Sequence, residues 1–267
     1  MKHLLCRLIL CLWATVAFGQ DDRCDTKTYK VGPKLQQQYD AAVKATRYPT
    51  LEHIVKDLTP IIPGVSGIFN EQGQVLMVTW SKCSYFKDYE QGQAFKLYGD
   101  TWFSPAPQMQ EFCSGVKSAE LRLRVAQRLG MPPNANNNVF VQLWVWPKDI
   151  FRPCPDPEIY DTQCVVRIPF QVDNPKDAPW RDPDPEQQAE AFMNVSDAHL
   201  DWNRNWWDGA HGNCSGNNCY PWTALGYTWD WDPDNSSHVG GSEYVVLGGT
   251  QVVFESMDYT DEYCGRN

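Results

Sequence analysis

The sequence predicts an α+β fold: a mostly antiparallel sheet with flanking helices, stapled by disulfides. Three observations predict it. Helical and strand periodicities come in blocks rather than in strict alternation, the order being helices, strands, a helix, strands, a helix and closing strands. The hydrophobic fraction of 42% is ample for a core. Eight of the ten cysteines lie beyond an N-terminal export signal, and an even set in an oxidising compartment reads as disulfides.

The signal is "MKHLLCRLILCLWATVAFGQ". Lys2 and Arg7 precede an apolar run too short to span a bilayer, and Ala17 and Gly19 sit at the small-residue positions of a cleavage site. We therefore expect residues 1–19 to be removed and residues 20–267 to form one exported domain, with a weak division near 173–185. Cys6 and Cys11 leave with the leader. Among the rest, Cys154 with Cys164 and Cys214 with Cys219 are plausible local staples, and Cys24 with Cys264 would tie the termini. No spacing is C-x2-C and no histidine pair has finger spacing, which argues against zinc.

Along the chain, residues 34–46 and 50–58 read as short helices, the second capped by Thr50. Val75–Trp80 is β-rich. "QAFKLYG" and "DTWFSP" continue as short strands around the Gly99-Asp100 turn. "VKSAELRLRVAQRLGMPPN" is the clearest helix, with a stripe of Val116, Leu121, Val125 and Leu129, stopped by Gly130. "NVFVQLWVWP" is apolar on both faces except at Gln142, the pattern of a central strand. "CVVRIPFQV" is a further strand candidate. Pro-rich "PKDIFRPCPDPEIYDTQC" is a loop. Ser196 is the expected N-cap of the helix in "SDAHLDWNRNWWDG".

The formal charge of −10 disfavours unspecific binding to nucleic acid or anionic membrane. No later segment has the roughly 20 apolar residues of a membrane span. G-x-S-x-G, H-E-x-x-H and the Walker loop are missing, so common hydrolase, zincin and nucleotide-binding signatures give no support. The sequons at Asn194, Asn213 and Asn235 are acceptors for glycans in a eukaryotic source and meaningless in a bacterial one.

Chemistry-bearing residues crowd the last quarter. His199, His211 and His238 lie there with Trp202, Trp206, Trp207, Trp222, Trp229 and Trp231. Asp230, Asp232 and Asp234 alternate in a pattern suited to calcium, yet an EF-hand would want Gly and Glu where Asn235 and Gly241 stand. The same triplet also reads as an Asp-rich turn between strands. Glu243 opens the strand that follows, and the sequence leaves it as a catalytic glutamate, a metal ligand or an ordinary strand-end residue.

"GSEYVV", followed by Gly248-Gly249-Thr250 and an alternating strand, resembles the closing strand pair of ADP-ribosyltransferase-like, NAD-consuming toxins. The resemblance spans about 30 residues and implies that Glu243 takes the place of the glutamate holding the nicotinamide ribose, with Tyr227 or Trp229 as the stacking aromatic. Gly241 stands where those transferases carry Glu or Gln, which puts protein modification in doubt and leaves hydrolysis. The whole chain also looks like exported bacterial proteins with a "GYT-aromatic-Asp-Trp" segment, a likeness that implies no activity.

The leading expectation is a secreted enzyme that cleaves a glycosidic or N-glycosidic bond. Glu243 would be its carboxylate, His211 or His238 a proton carrier, and Tyr227, Trp229 and Trp222 its substrate surface. The rival expectation is a non-catalytic module, because indole faces stack on sugars while Asp and Asn bind hydroxyls. A stable exported interaction protein is a third.

Overall fold

The computed structural model describes residues 24, 29–164, 195–212, 214 and 218–266. The leader, the segment 173–185, the "CVVRIPFQV" strand candidate beyond Cys164 and the sequons at Asn194 and Asn213 lie outside the described residues. Five α-helices are described: α1 (Pro33–Ala45), α2 (Gln108–Ser114), α3 (Leu121–Arg128), α4 (Asp197–Trp207) and α5 (Thr260–Tyr263). The strands are β1 (Val75–Ser81), β2 (Ala94–Lys96), β3 (Thr101–Pro105), β4 (Val139–Val145), β5 (Tyr227–Trp229), β6 (Val239–Ser242), β7 (Tyr244–Val246) and β8 (Gln251–Tyr259).

Six strands form one sheet in the order β2-β8-β4-β1-β3-β7, and every adjacent pair is antiparallel. β5 and β6 form a separate antiparallel hairpin. The class is α+β, as the sequence predicts. β4 is interior to the sheet, between β8 and β1. Its Val139, Val141, Leu143 and Val145 are buried on one face and Phe140 on the other. Strands from both sides of residues 173–185 share this sheet.

Each sheet face carries its own core. Met77, Leu143, Phe103, Tyr244 and Phe254 fill one, covered by irregular segments that bring Ile61, Cys83 and Ile159. Leu76, Val78 and Trp80 meet α2, α3 and α5 on the other, through Met109, Val125 and Tyr263. The alternation of Val75 and Met77 with Leu76 and Val78 between the two cores is the period-two geometry of a strand.

The sheet is not flat. β3 pairs with β1 only at Met77↔Pro105 and Val78↔Ser104, then leaves it to pair with β7. The connection from β7 to β8 is short and tightened by a turn, with the Thr250 N–H donating to the Leu247 carbonyl. β7 and β8 are far apart in strand order, so a turn this tight forces the β3·β7 ribbon to fold back toward β8. The parting of β1 from β3 opens a cavity.

Several local expectations are corrected. Residues 50–58 form only a 3-10 turn at Leu51–His53. The Thr50 N–H donates to His53 Nδ1, and the chain beyond pairs across sequence, from the Leu58 and Ile61 N–H groups to the carbonyls of Thr162 and Ile159. These long-range bonds displace the helix. α3 is shorter than its pattern, preceded by a 3-10 turn at Ser118–Glu120, and it ends at Gly130 in the left-handed region with φ +64°. α2 carried no readable stripe because it is only seven residues long.

Four disulfides are present, and two are the expected local staples, Cys154–Cys164 and Cys214–Cys219. The other two are Cys24–Cys83 and Cys113–Cys264, not a Cys24–Cys264 tie between the termini. The reason is the sheet itself. Cys24 packs with Cys83 against one face, while Cys264 packs with Cys113 against the other. Among the described residues, no helix is long and apolar enough to cross a membrane.

Candidate functional site

Glu243 sits at a crossing point. β6 ends at Ser242 in the small hairpin, and β7 begins at Tyr244 in the large sheet. The Glu243 N–H donates to the Gly226 carbonyl at 2.9 Å. On the preceding residue, the Ser242 N–H donates to Gln108 Oε1 at 2.8 Å. The glycines before it are needed for close approach. A Cβ at Gly240 would lie 2.2 Å from the Thr228 carbonyl oxygen, and one at Gly226 would lie 2.6 Å from Arg152 Cδ. The small residues of this stretch thus let β6 lie on β5 and set where the glutamate emerges.

The side chain of Glu243 points into the cavity left by the parting of β1 and β3. The cavity measures about 1070 Å³, and its walls include Val78–Ser81 on one side and Thr101–Ser104 on the other. Trp102, Trp206, Trp222 and Trp229 line it together with Glu243 and Asp100. Glu243 is only 7% exposed. Burial pushes its carboxyl up to about 8, opposed only in part by the Trp222 Nε1–H, which donates to Oε2 at 3.2 Å. No other hydrogen bond to this carboxyl is seen among the described residues. At neutral pH it is therefore a neutral acid inside an aromatic wall.

The indoles support one another. Trp102 meets Trp206 and Trp222 edge to face, with centroids 5.4 and 5.6 Å apart. α4 delivers Trp202, Trp206 and Trp207. Ser196 caps it as expected, accepting from the His199 N–H at 3.2 Å. Its last turn widens into a π-turn over Asp208–Gly212 that seats Ala210 and His211 in the interior.

The other predicted residues fall in distinct places. His211 is buried behind Trp222, where its Nε2–H donates to the Trp222 carbonyl at 2.7 Å and its Nδ1 has no partner among the described residues. A carbonyl only accepts, so the hydrogen is on Nε2. Burial lowers this imidazole to about 4, which keeps it neutral. His238 stacks on Trp229 at 4.9 Å, and its Nδ1–H donates to the Asp230 carbonyl. Neither histidine lines the cavity. Tyr227 is buried beside α1, with its hydroxyl donating to the His53 carbonyl. Trp222 and Trp229 do line the cavity, Trp229 from the edge of that same packing layer.

The aspartate triplet is engaged elsewhere. Arg124 donates from both terminal nitrogens to Asp230, at 3.2 and 3.1 Å, and pairs through Nε with Asp232 at 3.2 Å. Asp234 is exposed in the turn. A calcium ion would have to compete with this guanidinium. The amide hydrogens of Asn235, the described sequon, are directed to Asp230 Oδ2 and the Val239 carbonyl. Among the described residues, the only three-donor cluster with metal-ligand spacing is Cys154, Asp156 and Cys164, and its two cysteines are joined as a disulfide.

Two cavity residues were not singled out from the sequence. In the sequence Asp100 belongs to the Gly99-Asp100 turn and Trp102 to the short strand "DTWFSP". No local signal marks them, because what makes them notable is the fold-back of the β3·β7 ribbon. Comparison with protein-family models, curated proteins and solved structures returned no match.

Proposed function

We propose that this protein is an exported enzyme that cleaves glycosidic bonds, with Glu243 giving its proton to the departing oxygen. The observation that carries this reading is a buried, neutral carboxyl facing a large cavity walled by indoles. Sugar rings stack on indole faces, and a carboxyl kept protonated near neutral pH is the acid that an alkoxide leaving group needs. The four disulfides suit the oxidising compartment into which the leader would send the chain.

The same observation separates two kinds of substrate. Nicotinamide departs from NAD as a neutral ring and needs no proton, so NAD cleavage calls for an ionised carboxylate beside the ribose. A protonated Glu243 favours O-glycosides over NAD. In this reading the proton carrier is Glu243 itself, and His211 acts through Trp222 by holding that residue in place.

The test is incubation of the mature protein with a panel of oligosaccharides and aryl glycosides and, separately, with NAD. Wild type should cleave a glycoside, and Glu243→Gln should lower turnover by about 10²-fold or more, the scale of one acid catalyst. Activity should fall as pH rises through about 8, where Glu243 loses its proton. A wild type that cleaves nothing but whose tryptophan fluorescence shifts with added glycan would identify a binding module instead.

A further inference from the structure

The cavity holds a second carboxyl, and its setting differs from that of Glu243. Asp100 lies in the turn between β2 and β3 and lines the same cavity. Its Oδ2 accepts from the Trp202 Nε1–H at 2.8 Å and from the Trp206 Nε1–H at 3.4 Å. Its Oδ1 accepts from the Gly248 N–H at 3.0 Å. In all three contacts the carboxyl oxygens of Asp100 accept. A Cβ at Gly248 would lie 2.9 Å from Gly99 Cα, so the turn that supplies the Gly248 N–H packs directly on the Asp100 turn.

Strand register relates the two carboxyls. β3 and β7 pair as Thr101↔Val246, Trp102↔Val245 and Phe103↔Tyr244. Phe103 and Tyr244 face the core of the main sheet. Side chains alternate, so Trp102 and Val245 face the other way. Continuing the register one step in each direction sets Asp100 opposite Leu247 and Glu243 opposite Ser104. Both carboxyls then share the face that carries Trp102, at opposite ends of the ribbon. Four residues of strand separate the two positions, about 13 Å along the backbone. Trp102 lies between them on the same face.

This inference rests on the glycosidase reading above. We propose that Asp100 is the second catalytic carboxylate and that the reaction is a single displacement. Asp100 takes a proton from a water that attacks the anomeric carbon. The C–O bond to the leaving sugar breaks, and that oxygen takes the proton of Glu243. One water is consumed, each product gains a hydroxyl, and the anomeric configuration inverts. Positions four strand residues apart are too distant for the pairs about 5 Å apart that form a covalent intermediate, and stand on the side of inverting pairs, whose roughly 6.5–9.5 Å spacing admits the water.

The experiment uses full mature protein and a glycoside that wild type cleaves. Asp100→Asn should lose about 10²-fold or more in kcat/KM while keeping its melting transition, and sodium azide should restore turnover by attacking without need of a base. Proton NMR of the first-formed product should show the inverted anomer. A structural role for Asp100, pinning α4 through Trp202 and Trp206, would leave the loss unrescued by azide. An unrescued loss, a retained configuration, or an Asp100→Asn variant as active as wild type while Glu243→Gln is inactive would each overturn this assignment and leave Glu243 standing as the acid. Full activity in Glu243→Gln, or no glycoside cleaved by wild type, would overturn the glycosidase reading and this assignment with it.

Discussion

At the residue scale, two buried groups set opposing pH dependences. Burial raises Glu243 from its ordinary 4.5 to about 8. The folded protein keeps a proton that the unfolded chain releases, so this contribution to stability is fully present below about 4.5 and is lost as pH rises toward 8. His211 runs the other way. It falls from 6.5 to about 4, so its contribution is present above 6.5 and is lost as pH falls toward 4. Between about 4.5 and 6.5 the two slopes offset each other, and above 6.5 the loss from Glu243 stands alone. Glu243→Gln should therefore stabilise the fold at pH 8 relative to pH 4.5 by on the order of a few kcal/mol, compared with wild type. Chemical denaturation of both proteins across that range checks it. Parallel pH profiles for the two would mean that Glu243 ionises freely and is not the buried acid described.

At the element scale, α4 brings Trp206 to the cavity wall and Trp202 to the Asp100 carboxyl. It is 11 residues long, and its only side-chain cap is Ser196. Helices of this length depend on packing and capping rather than on propensity. Ser196→Ala should cost about 1 kcal/mol, since it removes the hydroxyl that accepts from the His199 N–H and leaves that N–H only the Ser196 carbonyl. Because Trp202 and Trp206 ride on the same helix, the loss should also appear in tryptophan emission at lower denaturant concentration than the loss of far-UV ellipticity. A single coincident transition, unchanged from wild type, would show that the cap contributes nothing. The cap was legible in the sequence because Ser before Asp-Ala-His-Leu is a local pattern. The π-turn that follows was not, because no local pattern places His211 under Trp222.

At the scale of the whole molecule, the disulfides differ greatly in what they close. Cys113–Cys264 spans 151 residues and joins α2 to the C-terminal turn, whereas Cys214–Cys219 spans 5. Loop-closure entropy alone gives about 5 kcal/mol for the first and about 2 for the second. Replacing both cysteines of the long bridge by alanine should depress the melting temperature well beyond the same change in the short one. Calorimetry of the two double variants decides it, and equal depressions would mean that native contacts of the short loop, rather than chain entropy, set its value.

Local chemistry carried much of this protein. Apolar residues on both faces of Val139–Val145 mark a central strand, Gly130 ends a helix, and cysteine parity with close spacing marks two staples. Each of these depends on neighbours within a few residues, so the chain alone contains it. The fold class followed from the same patterns taken in order. The site did not follow. The sequence presents Glu243 only as a carboxylate opening a strand, and its neutral state comes from burial among the surrounding walls. Asp100 and Trp102 entered only because a ribbon more than a hundred residues away in sequence pairs with β3. Arg124, 106 residues before Asp230 in sequence, claims Asp230 and Asp232. The long bridges follow which face of the sheet each cysteine reaches. Burial, register and charge pairing are properties of contacts between distant segments, and no window of sequence holds both partners.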